Sequence, residues 1–295
     1  MDAIRDPGFA TVDAAADPAL LVGYLDRTAC RLAGLKERVI ELLAPACGHA
    51  VLDVGCGTGD DVRAMAGFVG PAGRVVGLDT SITMVAEARR RAAGLGLPVA
   101  FGVGDAHALP FAAASFDACR ADRVLQHLAR PRHAAAEMAR VLRPGGRVVV
   151  CEPDWRRLVV EHPDPVLTGR LLGFRAAGLA APSVGGRLGR LLRAAGLAQV
   201  SVTAVPVALG GPHLVDGLRL ETTVRDAVRA GVVTAAQGSR WLADLVRAGA
   251  AGRGATLTML LAAATDAGAG HVVSPETRPP GARSVAAGRA LRRRS

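Results

Sequence analysis

VLDVGCGTGDD, residues 51–61, decides the fold. Val51, Leu52 and Val54 form a short apolar run suited to a buried parallel strand, interrupted by the carboxylate of Asp53. Gly55, Gly57 and Gly59 follow at alternate positions. They let the chain turn sharply at positive φ and bring backbone against a ligand with no Cβ between. The segment after Gly59 has helical character, so the loop's N–H groups and a helix N-terminus face one space.

The spacing says what such a cradle holds. A dinucleotide fingerprint places its third glycine three residues after the second, where this chain has Asp60. A phosphate-binding P-loop needs a lysine after the glycines, and the only lysine in the chain is Lys36. An acid beside the loop suits a ligand carrying an ammonium and a sulfonium, whereas it would repel a pyrophosphate.

The D-x-G-x-G-x-G arrangement resembles motif I of the class I S-adenosylmethionine-dependent methyltransferases. The stretch from Val51 to Asp154 is similar to their small-molecule subgroup, the quinone and natural-product enzymes of methyltransferase type 11. The resemblance implies an α/β fold with a doubly wound seven-stranded sheet and helical lid insertions. It also implies S-adenosyl-L-methionine as cofactor, with S-adenosyl-L-homocysteine as product. Asp53, Gly55, Gly57, Thr58 and Gly59 then fall in its cofactor loop.

Downstream residues agree with that expectation. RVVGL, residues 74–78, reads as a second buried strand ending at Asp79, about twenty residues past Gly59, where doubly wound sheets place the acid that takes ribose hydroxyls. Thr80 follows, and Ser81 suits a helix N-cap. PVAFG, residues 98–102, reads as a third strand, and Asp105 and Ala106 lie just beyond it. In the family that acid accepts from the adenine amino group, and the next N–H meets the ring. FDACR, residues 116–120, is the expected fourth strand, ending at Arg120 on the same edge. Asp122, Arg123, Gln126 and His127 cluster past it, and His127 is the candidate general base. RPGG, residues 143–146, is expected to turn into a fifth strand, residues 147–151.

Asp117 and Asp122, with Glu152 and Asp154 ending the next strand, resemble the pattern of magnesium-dependent catechol-type relatives. Asp117 also lies in an SFD motif shared with metal-free relatives, so no metal is assigned.

The flanks are organised around this core. The first ten to twenty residues read as loose. Apolar spacing from Leu21 to Leu43 then gives one or two amphipathic helices, which makes residues 1–45 a helical cap. Helices so placed in the family can pack over the cofactor, so Tyr24 and Arg27 are candidates for touching it, with plain packing as the alternative. Residues 46–270 form the methyltransferase domain, with lid insertions near 153–198 and 207–254. Val200 to Ala204 read as a sixth strand, and Thr256 to Leu261 as a seventh, which the resemblance implies is antiparallel at the sheet's edge. Residues 271–295 read as a disordered basic tail.

The net charge of +10 is concentrated at that end, where Glu276 is the lone acid among Arg278, Arg283, Arg289, Arg292, Arg293 and Arg294. Arginine in place of lysine throughout reads as compositional bias and weakens any inference from charge to nucleic acid. Five scattered cysteines, an unsuitable start for a signal peptide and the lack of a long apolar run point to a cytoplasmic protein. The expected partner is a small, fairly apolar molecule of secondary metabolism, with neither nucleic acid nor membrane, and a homodimer is left open. The alternatives are a cyclase-like enzyme that binds the cofactor without transferring methyl, and an RNA methyltransferase. The latter lacks the N/D-P-P-Y/F type motif and has few aromatics for base stacking.

Overall fold

A computed structural model describes residues 9, 12–15, 17–210 and 213–266. The tail expected over 271–295 lies outside the described residues. Two helices, α1 (Pro18–Arg31) and α2 (Ala33–Leu43), precede β1 (Ala50–Val54). Alternation follows as α3 (Asp60–Val69), β2 (Arg74–Asp79), α4 (Ile82–Ala92), β3 (Val99–Val103), β4 (Phe116–Asp122), α5 (Pro131–Val141) and β5 (Leu142–Pro153). The remainder is β6 (Val159–Val160), α6 (Pro165–Ala177), α7 (Leu188–Ala194), β7 (Leu197–Gly210), α8 (His213–Gly217), α9 (Leu220–Arg229), α10 (Ala235–Ala250) and β8 (Gly254–Asp266).

The strands form one eight-stranded sheet in the order β3-β2-β1-β4-β5-β8-β6, with β7 paired to the other side of β8. β1 to β5 are parallel, and β8 runs antiparallel to β5, β6 and β7. Order therefore reverses between β1 and β4, which opens a crevice at the C-terminal ends of those strands. Both faces of the sheet are covered. Val51, Val75 and Val149 pack with α2 and α3, while Leu52, Val54, Val148 and Val150 pack with α5 and α7. Side-chain alternation then sends Asp53 to the Val51 face, toward α2 and α3.

Three expectations need correction. The seventh strand expected at the sheet's edge, β8, is interior, because β7 pairs along its whole length from Leu197↔Asp266 to Gly210↔Gly254. The two-residue β6 raises the count from seven to eight. RPGG is not a free turn. β5 already pairs at Phe116↔Leu142 and resumes at Ala118↔Arg147, so these residues form a bulge with Gly145 at φ 79°. The start of the chain is also less loose than expected. Val12–Ala14 make a 3-10 turn, and the Asp13 carboxylate accepts from Ser81 Oγ and from the Ile82 and Thr83 N–H groups, which caps α4.

Candidate active site

The crevice is a cleft of about 660 Å³. Its floor is the glycine loop, where Gly55, Gly57 and Gly59 have φ of 73°, 53° and 74°. A Cβ on Gly55 would lie 2.3 Å from Val124 Cγ2, and one on Gly59 would lie 2.6 Å from Phe101, so both positions are closed to larger residues. Gly57 faces the cleft, and its N–H donates to Asp79 Oδ2 at 2.9 Å. Asp79 Oδ1 accepts from Ser81 N at 2.9 Å. Each oxygen holds one backbone donor and keeps a lone pair. Burial raises the Asp79 carboxyl above its usual range, opposed by those backbone donors.

Asp105 lies beside it, because Gly104 N donates to Asp79 O and Asp79 pairs with Val103. Its Oδ1 accepts from His107 N at 2.8 Å and meets His107 Nδ1 at 2.7 Å, which leaves Oδ2. The His107 N–H lowers its pKa. Thr58 is buried, Thr80 is exposed, Ala106 is buried, and all three line the cleft. Tyr24 reaches it from α1, donating its hydroxyl to Gly217 O at 3.1 Å.

Asp53 and Arg120 also line the cleft, but they are engaged with each other and with neighbours. Arg120 Nη1 lies 3.3 Å from Asp53 and 2.7 Å from Asp61, and Nη2 lies 3.3 Å from Asp122. Lys36 of α2 pairs with Asp61 at 2.5 Å, and Arg123 with Asp122 at 3.3 Å. Three cations thus balance three carboxylates under the loop. Burial pushes Asp53 up, while Arg120 and then Lys36 pull against it. Burial also works against Asp61, yet Arg120 and Lys36 hold it well below the usual carboxylate range.

Past β4, Arg123 takes a left-handed φ of 59° and the chain enters a 3-10 turn, Leu125–His127. Glu152 caps that turn from β5, accepting Val124 N at 2.7 Å and Leu125 N at 2.5 Å through Oε1. Burial raises Glu152 to about 8 despite those donors. His127 faces the cleft with its ring centroid 6.3 Å from that of Phe9. Burial first, then the charges of Arg123 and Arg175, lower it to about 4, so it is a neutral imidazole at pH 7. Sequence reasoning missed Lys36 and Arg175, which stand in ordinary amphipathic helices and carry no motif, and it gave no role to Asp61, the last residue of the opening stretch. The pair of charges on Lys36 and Asp61 becomes meaningful only when α2 and α3 are laid side by side.

Asp117 sits elsewhere, at the start of β4, accepting from Ala50 N at 2.8 Å and pairing with Arg143 at 2.6 Å. It is at the opposite end of the strand from Asp122. Among the described residues no group of three or more His, Cys, Asp or Glu side chains is arranged to hold a metal ion, and no helix is long and apolar enough to cross a membrane.

Residues 51–146 match a family described as a methyltransferase domain. The chain is 39% identical over 248 residues to an uncharacterized 37.1 kDa protein in transposon TN4556 of Streptomyces fradiae, covering 83% of this chain and 71% of that one. It is 38% identical over 169 residues to the O-methyltransferase cnsE of Penicillium expansum, covering 55% of this chain and 57% of the relative. The chain spans about half the length of the curated methyltransferases it matches. Among solved structures it resembles the [4+2]-cyclase SpnF at 25% identity and a TM-score of 0.50, covering 79% of each chain.

Proposed function

The chain belongs to the class I S-adenosylmethionine-dependent methyltransferases, and on that premise we propose that it transfers a methyl group to a small, fairly apolar molecule of secondary metabolism. One observation carries the reading. The cleft is continuous from Asp79 and Asp105, through the glycine loop, to a wall of Trp155, Phe174, Leu257 and Met259.

The residues at the first end fit the cofactor. The free lone pairs of Asp79 suit two ribose hydroxyls, and Asp105 Oδ2 with the Ala106 N–H suits an adenine edge. Gly57 presents backbone to the cleft with no side chain of its own in the way. We assign Asp53 and Arg120 a positioning role, since their charged groups hold each other beneath the loop. When bound, the cofactor supplies an electrophilic methyl on a sulfonium with an excellent leaving group. The protein's part is to hold an acceptor close and in line and to keep water out.

Neutral His127 lies where it can take a proton from a hydroxyl acceptor. Tyr24 closes the cleft from the cap. The insertions carrying α6 and α8 to α10 form its lid, with Tyr24 bonded to Gly217 and both Arg27 and Arg31 paired with Asp216.

Incubation with methyl-labelled S-adenosylmethionine and a panel of small phenolic, amine and polyketide-like acceptors tests this. Label is expected in an organic-extractable product, together with S-adenosylhomocysteine. An acceptor converted with no gain of label and with the cofactor intact would favour the non-methylating, cyclase-like reading, to which the likeness to SpnF gives some weight. Label found on RNA would overturn the small-molecule assignment.

A further inference from the structure

Arg175 reaches from α6 into the acceptor end of the cleft. Its guanidinium lies 4.4 Å over the Trp155 ring. That ring is fixed in turn, because Trp155 Nε1 donates to Gln126 Oε1 at 2.6 Å and Gln126 Nε2 donates to Arg123 O at 3.1 Å. Arg175 Nη1 donates to Thr223 Oγ1 at 3.1 Å, and the Thr223 hydroxyl gives its own proton to Arg219 O at 3.2 Å. The plane of the guanidinium is therefore set by a stack on one face and a hydrogen bond at one corner.

The rest of the group is unmatched. Nε is buried with no hydrogen-bond partner. Burial lowers the Arg175 pKa to about 10, the Arg219 charge pushes it the same way, and no carboxylate is among the groups acting on it. Arg120 makes the contrast, since it is more deeply buried yet has three carboxylates around it. A charge taken out of water without a counter-ion is costly, and a stack on an aromatic face offsets only part of that cost. The Nε and Nη2 edge left by the Thr223 bond is one that a carboxylate or phosphate takes bidentately.

We infer that the acceptor is an anion whose carboxylate or phosphate group docks on Arg175, with Trp155 as the platform beneath. This rests on the methyl-transfer reading and narrows its substrate class. The anion holds one end of an otherwise apolar molecule and directs its other end toward the glycine loop.

The test uses the full chain saturated with S-adenosylhomocysteine and three probes in isothermal titration: 4-hydroxybenzoate, phenyl phosphate and the uncharged methyl 4-hydroxybenzoate. At least one anion should bind ten-fold or more tightly than the ester, and which one does so separates the carboxylate from the phosphate source. Arg175→Met should erase that gap while changing the affinity for S-adenosylhomocysteine less than two-fold, and Arg175→Lys should restore part of it. Equal binding of anions and ester, or no binding of any probe, overturns the proposal, and the wild-type comparison decides even if the variant does not fold. A loss of S-adenosylhomocysteine affinity in Arg175→Met equal to the loss for the anion also overturns it, because the residue would then serve the cofactor. Failure of the wild type to bind S-adenosylhomocysteine at all would sink the methyl-transfer reading instead.

Discussion

Asp79 joins two parts of the site with one carboxylate, holding Gly57 through Oδ2 and the start of α4 through Oδ1. Its remaining lone pairs face the cleft, where two ribose hydroxyls would donate to a charged acceptor. Hydrogen bonds to charged groups are worth about 1.5–3 kcal/mol each, so Asp79→Ala, which removes two, should weaken S-adenosylhomocysteine binding by roughly 100-fold or more in titration calorimetry. A change under three-fold would place the ribose elsewhere. His127 gives a second expectation at this scale. Its folded pKa of about 4 lies below the ordinary 6.5, so the unfolded chain takes up that proton more readily. The fold is at full strength above pH 6.5 and weakens as pH falls toward 4, by up to roughly 3 kcal/mol from this one group. Urea titrations between pH 7.5 and 4.5 should show a flatter decline in His127→Gln, and an identical slope would mean the imidazole is not desolvated.

The turn after β4 is held by its neighbour strand more than by its own sequence. Glu152 supplies one oxygen to two N–H groups of residues 124–125, and its other oxygen, Oε2, is buried without a partner. The folded pKa of about 8 lies above the unfolded value, so the protonated acid stabilises the fold fully below pH 4.5, and that contribution fades as pH rises through 8. Glu152→Gln keeps the accepting oxygen and carries no charge. It should match wild type in melting temperature at pH 4 and exceed it at pH 9, and a variant less stable at both values would contradict the assignment. Elements of this kind mark how far the sequence could be read. The apolar runs 51–54, 74–78 and 147–151, with their glycines and terminal acids, carry period and punctuation strongly enough to give strand, loop and edge. The edge position expected for β8 is what the family resemblance implies, and period alone says nothing about which strands flank it. Arg175 and Lys36 were missed because a charged residue on an amphipathic helix has the same local pattern whether it meets water, a buried carboxylate or a substrate.

At the scale of the whole molecule, helices α2 and α3 meet the sheet through buried charge as well as apolar packing. Removing one partner of such a cluster leaves charge uncompensated, so Arg120→Met, which strands Asp53 and leaves Asp61 and Asp122 with Lys36 and Arg123 alone, should cost about 3–5 kcal/mol in urea unfolding. A loss under 1 kcal/mol would show that Lys36 and solvent suffice. The N-terminal helix α1 and the segment 213–219 are likewise tied together by Tyr24 to Gly217 and by Arg27 and Arg31 to Asp216. Everything proposed for the acceptor depends on the cofactor lying between the glycine loop and the acids of β2 and β3. Titration calorimetry of the purified chain with S-adenosylhomocysteine, alongside a folded Asp79→Ala variant, tests that most directly. One-to-one binding by the wild type, weakened at least ten-fold in the variant, is the expected result, and no binding by the folded wild type, or equal binding by both, would contradict it.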